Sequence, residues 1–231
     1  MGPNMSSSSG LKLAARAFLF YVASLALVGG LLFSTAGSLR FWNAWLFLGA
    51  LFIPMLAVLV YLLLKAPDLL EKRMKTREKE KPQRLYLLLS LVTFLISFSI
   101  PGFDYRYGWS SVPLWVVILS TFAMLTGYFS FFVVMVQNRY ASRVVEIQEG
   151  QKLIDKGMYS VVRHPMYGSA TLLYVSAMLV LGSYFAIIPV LSIPMLLVIR
   201  IRNEESVLRE GLPGYSDYMN RVRYRMIPFV W

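Results

Sequence analysis

The chain has 231 residues, of which 57% are apolar and 15% charged, against roughly 45–50% and about 25% in an average soluble domain. That balance excludes a disordered or collagen-like chain and points to a protein that lives in lipid. The net charge is +11, cysteine is absent and His164 is the one histidine, which excludes disulfides, thiolate metal sites, a cysteine nucleophile, prenylation or palmitoylation of this chain, and a histidine-rich metal centre.

In chain order, residues 1–10 are Ser-rich and lack apolar periodicity, which predicts a flexible N-terminal tail. A helix needs about 20 apolar residues to cross about 30 Å of hydrocarbon. Uncharged runs cover residues 17–39, 41–64, 85–103 and 108–138, and each is read as one span. Lys12 and Arg16 precede the first run as they would in a signal peptide, but an h-region has only about 7–15 residues. The first run is therefore expected to be a retained helix. Residues 65–84 hold eight basic and four acidic side chains. They are expected to form a solvated, partly helical loop that sets topology, the acids diluting any affinity for anionic lipid.

A last apolar stretch, residues 165–199, is 35 residues long without a charge, too long for one span and short for two. Gly182-Ser183 lies at its middle, a tight-turn signal. Two arms of about 16 residues would each rise about 24 Å, with Pro189 and Pro194 expected to kink the second. Charge decides the parity. With a hairpin here and both termini in the cytoplasm, 21 of the 23 Lys and Arg fall inside, and only Arg40 and Arg106 fall outside. The expected fold is an all-α, polytopic integral membrane protein of about six membrane helices, the last two a helical hairpin. It divides into the tail (1–10), N-terminal membrane helices (11–135) and a C-terminal region (136–231) of loop, hairpin and cytoplasmic tail. Basic charge so placed speaks for topology and not for nucleic acid.

The chemistry-bearing residues flank the hairpin. Before it runs Gln151-Lys152-Leu153-Ile154-Asp155-Lys156-Gly157-Met158-Tyr159, then Arg163-His164-Pro165-Met166-Tyr167-Gly168. After it come Arg200, Glu204-Glu205, Gly214-Tyr215 and Tyr218. Proline pushes its predecessor out of helical geometry and suits the first helical position, so His164 is placed at the N-cap of the first arm. Unpaired amides and the dipole make that end a seat for an anion, and Arg163 adds charge. Arg200 and Glu204, four residues apart, share a helical face. A hairpin brings its two ends together, so this face is expected beside His164. Tyr159 and Tyr167 add aromatic faces that attract cations. The result is a small pocket at the lipid–cytosol boundary suited to a zwitterionic, sulfonium-bearing ligand. Taken singly, each residue also has a structural reading: a satisfied interfacial histidine, an exposed ion pair worth about 0.3–0.5 kcal/mol, an aromatic belt.

At these residues the sequence resembles the isoprenylcysteine carboxyl methyltransferase family and its relatives, the phospholipid N-methyltransferases. The resemblance rests on Gly157-x-Tyr159-x-x-x-Arg163-His164-Pro165-x-Tyr167-Gly168, the hairpin, the Glu-Glu pair and the following Gly214-Tyr215-Ser216-Asp217-Tyr218, and covers residues 136–231. The family commonly places its glycine one residue later than Gly168. The resemblance implies a membrane-embedded methyltransferase using S-adenosyl-L-methionine, with a lipophilic acceptor arriving from the bilayer. It implies cofactor contacts from Gln151, Lys152, Leu153, Ile154, Tyr159, His164, Pro165, Met166, Tyr167 and Glu204, and an acceptor contact from Arg200. Of the Gln151–Ile154 segment only Leu153-Ile154 matches the usual Leu-Val pair. The implied acceptor is the carboxylate of an isoprenylcysteine-like molecule, with a phospholipid amine as the alternative. No metal, nucleic acid or obligatory protein partner is implied. A nicotinamide-dependent reductase of sterol-reductase type, a non-catalytic membrane protein and a transporter remain as competing classes. The last ranks lowest, because the apolar runs carry no charge.

Overall fold

The computed structural model describes residues 7–74, 81–140 and 147–231. Among these the secondary structure is entirely helical, as the apolar patterning requires. The elements are α1 (Ser7–Ala36), α2 (Trp42–Lys65), α3 (Pro67–Arg73), α4 (Lys81–Tyr107), α5 (Leu114–Gln137), a 3₁₀ turn (Gly157–Ser160), α6 (Pro165–Val180), α7 (Ile187–Val190), α8 (Ser192–Gly211) and α9 (Tyr215–Arg221).

Four of these helices, α1, α2, α4 and α5, are long and apolar enough to cross a membrane, and α6 is a shorter apolar helix. Their outer faces carry large apolar side chains, with Leu64 74% exposed, Ile53 72% and Phe122 65%. So much exposed apolar surface on one chain marks contact with lipid. Ser7–Gly10, part of the expected tail, lie in the first turn of α1; residues 1–6 lie outside the described residues. The expected loop at 65–84 begins with α3, and its residues 75–80 lie outside the described ones.

The helices pack α1 on α4, α5 on α6, and α2 between α1 and α5. At the α5–α6 crossing a Cβ on Gly127 would stand 2.9 Å from Leu173 N and from Ser169 O, so only glycine admits that approach. The largest core cluster joins Phe41, Phe47 and Phe52 to Phe98, Met124, Met178 and Leu181.

The expected hairpin forms. Helix α6 ends at Val180, and Gly182 turns the chain at φ +77°, a left-handed conformation that glycine adopts without strain. The second arm is divided, not kinked as expected: α7 carries Pro189 and stops, and α8 restarts at Ser192 with Pro194 in its first turn. A proline ring clashes with the carbonyl four residues earlier, whereas a helix's first turn needs no amide partner.

The turn is held by a buried polar group. Asp104, 2% exposed near the end of α4, accepts from Ser183 Oγ at 2.5 Å and from Ser110 N and Oγ, both at 2.6 Å. Asn43 Nδ2 donates to Val180 O at 2.8 Å nearby. This end of the bundle therefore gathers the α1–α2 connection, the α4–α5 connection and the hairpin turn.

Candidate active site

At the opposite end the chain before α6 and the chain after α8 meet. Arg163 N donates to Tyr224 O at 3.0 Å and His164 N to Arg225 O at 2.7 Å, so the C-terminal tail lies alongside the start of α6. A Cβ on Gly168 would stand 2.9 Å from Met226 O, which is why a glycine follows Tyr167 here.

His164 is the N-cap residue of α6, with Pro165 at the first helical position, as the sequence indicates. The groups brought to it are the two carboxylates of α8. Adjacent residues on a helix point about 100° apart, and Glu204 and Glu205 separate accordingly. Glu205, 3% exposed, accepts from Arg163 Nε at 2.7 Å and from Arg225 Nε at 3.0 Å. His164 Nε2 lies 3.3 Å from the same carboxylate, and an ionised carboxylate only accepts, so Nε2 carries the proton. Burial works against the Glu205 charge, but the hydrogen bonds from His164 and Arg163, with Arg225 behind them, hold its pKa at about 2. Arg163 also donates to Val222 O at 2.8 Å and Arg223 O at 3.2 Å. Its charge is thus engaged in holding the tail and Glu205.

Glu204 turns the other way. Tyr167 Oη donates to Glu204 Oε2 at 2.5 Å and accepts from Arg200 Nε at 2.7 Å, so the phenol bridges the two groups that share the face of α8. The Tyr167 ring stacks on His164, centroids 5.6 Å apart, and the Arg200 guanidinium lies 5.9 Å from its centroid. Tyr159 accepts from Asn138 Nδ2 at 3.0 Å, and burial pushes its pKa up to about 12, leaving a neutral phenol. Tyr218 Oη donates to Tyr159 O at 2.7 Å, tying α9 to the 3₁₀ turn.

These groups surround one cavity of about 900 Å³, its open mouth included. Ten of the eleven residues singled out from the sequence line it: Gln151, Lys152, Leu153, Ile154, Tyr159, His164, Met166, Tyr167, Arg200 and Glu204. Pro165 instead lines a neighbouring apolar groove with Met158, Val162 and Met226. Arg163, Tyr215 and Tyr218, named in the sequence without an assigned contact, also line it, and sequence reasoning missed Asn138, Tyr140, Val207, Leu208 and Leu212, which complete the wall. For Val207 and Leu208 a signal existed, since they lie three and four residues beyond Glu204 on its own helical face. The cavity is charged towards Arg200 and apolar towards Leu208 and Leu212.

Residues 116–210 match the model of the isoprenylcysteine carboxyl methyltransferase (ICMT) family, which takes in α5 through nearly all of α8. Among solved structures the chain is similar to one described as the eukaryotic intramembrane Ras methyltransferase ICMT without a monobody. The two are 22% identical over 93% of this chain and 77% of that chain, with a TM-score of 0.58. No curated protein sequence matches the chain. The motif resemblance and the family match therefore coincide on the hairpin and its flanks, and the likeness of fold extends over nearly all of the chain.

Proposed function

We propose that the protein is a membrane-embedded methyltransferase that uses S-adenosyl-L-methionine and methylates the carboxylate of an isoprenylcysteine-like acceptor. The observation that carries this reading is the convergence on one cavity of ten of the residues expected to hold cofactor and acceptor. The donor set suits the cofactor. Leu153, Ile154, Val207 and Leu208 offer apolar contact to a nucleoside, Glu204 a carboxylate for an ammonium or sulfonium, and Tyr159 a neutral phenol.

S-adenosyl-L-methionine supplies an electrophilic methyl group, so the acceptor needs only a nucleophile. A carboxylate is already ionised near neutral pH and requires no general base. Arg200 grips and orients that carboxylate, since a guanidinium offers a planar fork that matches it. Tyr167 fixes the guanidinium from one side through Nε, and its hydroxyl passes the contact on to Glu204. Glu205 acts behind these groups, holding Arg163, His164 and Arg225 in place. Positioning and electrostatics account for the catalysis in this scheme.

The same reading takes the chain as six membrane segments with both ends and the cavity facing the cytoplasm, α6 and the apolar half of α8 completing the count. Two observations support it. Arg106, one of the two basics expected outside, lies against Gly37 at the end of the bundle that holds the hairpin turn. Lys72, Arg73 and Arg139 lie at the other end, where Lys72 Nζ donates to Arg139 O at 3.1 Å and Arg73 approaches Met166 Sδ.

The test is calorimetric binding of S-adenosylhomocysteine to detergent-solubilised protein, followed by transfer of labelled methyl from S-adenosyl-L-methionine to a farnesylcysteine analogue. Micromolar binding and a base-labile labelled ester are expected. Absence of binding by folded protein overturns the methyltransferase reading. Binding with label found only on phospholipid amines overturns the acceptor.

A further inference from the structure

Among the described residues, the two most exposed large apolar side chains are Phe229, at 86%, and Val230, at 75%. Leu64, on one of the helices able to cross a membrane, reaches 74%. The pair is thus as bare as a side chain that faces lipid, yet it lies outside every helix of the chain. The backbone holds it there. Met226 N and Ile227 N both donate to Trp231 O, at 2.9 and 3.1 Å, and Val230 N and Trp231 N donate to Ile227 O at 3.2 and 3.1 Å. Residues 226–231 therefore close into a hook. Phe229 sits in its bend at φ +65°, the one left-handed residue other than glycine among those described, and a bulky residue adopts that conformation rarely. A fixed turn presents these apolar groups to something outside the chain.

The place of the hook on the bundle decides what covers it. A Cβ on Gly168 would stand 2.9 Å from Met226 O, so the base of the hook rests on the first turn of α6. Met226 and Pro228 share a groove with Val161, with Leu172 of α6 and with Ser130 of α5, and no charged side chain lines it. Leu172 is about 10 Å along α6 from Pro165, and Ser130 is about 10 Å inside the end of α5 at Gln137. The groove climbs from the loop before α6 onto the flanks of two apolar helices, where Leu172 and Phe129 are exposed. Those flanks belong to the lipid-facing surface, so the hook sits where that surface meets the polar end of the bundle. Arg223, exposed just before the hook, adds the basic neighbour common in segments that lie at a membrane interface.

We propose that residues 226–231 are a membrane-interface hook, with Phe229 and Val230 inserted at the boundary between lipid headgroups and acyl chains. The partner is the bilayer itself, and the inference is independent of which cofactor fills the cavity. The hook anchors the strand that accepts the Arg163 and His164 amides at Tyr224 O and Arg225 O and that places Arg225 on Glu205. The frame of the cavity is thereby tied to the lipid surface.

The chain has no cysteine, so one nitroxide label reports on one position without other substitutions. Phe229→Cys and Val230→Cys are labelled in the full chain in phosphatidylcholine nanodiscs. Collision of the label with oxygen, which concentrates in lipid, is compared with collision with a water-soluble nickel chelate. Phe122→Cys on the exposed face of α5 gives the lipid reference, and Asp217→Cys, exposed on α9, the water reference. The oxygen-to-nickel ratio at Phe229→Cys is expected to shift from the Asp217 value to near the Phe122 value. A ratio at the Asp217 level overturns the inference, because the side chain then faces water. Suppression of both collision rates also overturns it, because protein, such as a second copy of the chain, then covers the hook. Val230→Cys carries the same decision if the melting temperature shows that labelled Phe229→Cys does not fold.

Discussion

Arg163 and Glu205 stand 42 residues apart in sequence and meet at 2.7 Å, each side chain about 4% exposed. This pair joins the start of α6 to the middle of α8, and Arg225 brings the C-terminal tail to the same carboxylate at 3.0 Å. It also separates the two halves of the Glu-Glu motif, one building the site and the other lining it.

Glu205→Ala and Glu204→Ala should therefore fail in different ways. Removing Glu205 leaves Arg163 buried with its charge uncompensated, at a cost of about 3–5 kcal/mol. A large drop in melting temperature in detergent is expected. Glu204, whose side chain is 28% exposed, should cost about 1 kcal/mol or less while S-adenosylhomocysteine binding is lost. If Glu204→Ala melts as early as Glu205→Ala, the division of roles is wrong.

Stability should follow the titration of Glu205. Its pKa in the folded protein is about 2, against 4.5 for a free glutamate, so the folded state favours the ionised form. The stabilisation, about 3 kcal/mol by linkage, is fully present above about pH 4.5 and is lost as pH falls towards 2. Melting temperature measured from pH 7 down to pH 3 should fall below about pH 4.5, and Glu205→Gln should flatten that part of the profile. The same acid sensitivity in wild type and Glu205→Gln would remove Glu205 as its source.

Arg200→Lys tests the acceptor clamp. A lysine keeps the positive charge but loses the planar fork and the Nε donor to Tyr167. Turnover should fall by about 30- to 150-fold, as expected for about 2–3 kcal/mol of charge-assisted hydrogen bonding. Affinity for S-adenosylhomocysteine should stay within a few fold of wild type. Turnover near the wild-type rate would count against Arg200 as a carboxylate clamp.

Asp104 offers a control far from the cavity. Its carboxyl group accepts from Ser183 and twice from Ser110, holding the hairpin turn against α4. Asp104→Ala strands those donors, at about 1–3 kcal/mol for a buried unsatisfied group. A lower melting temperature is expected, with unchanged S-adenosylhomocysteine affinity in the folded fraction. A changed affinity with unchanged melting would mean that this end communicates with the site.

Much of the site was legible because its motif is compact. Tyr159, His164, Met166 and Tyr167 fall within nine consecutive residues, and Arg200 with Glu204 within one helical turn. The hairpin that joins them needed only a count of apolar length, a Gly-Ser turn signal and the distribution of charge. Tyr215 was named beside Tyr218 without a role of its own, because nothing local distinguishes the two: both are tyrosines of α9, and only pairing differs. Tyr218 finds Tyr159 O, whereas Tyr215 finds no partner. The division of Pro189 and Pro194 between two helices was hidden for a related reason, since one proline rule predicts both a kink and a break.

By itself the sequence determined the helical class, the four long apolar helices, the hairpin with its turn at Gly182 and most of the residues around the cavity, because hydropathy and helical period act locally along the chain. Only the tertiary structure decided that Arg163 turns inward to Glu205, that Tyr167 bridges Arg200 and Glu204, and that Tyr215 is left unpaired at the cavity wall. Those outcomes depend on which buried donor meets which acceptor across 20 to 60 residues of chain. Pairing at that separation is settled by packing, and no local pattern records it.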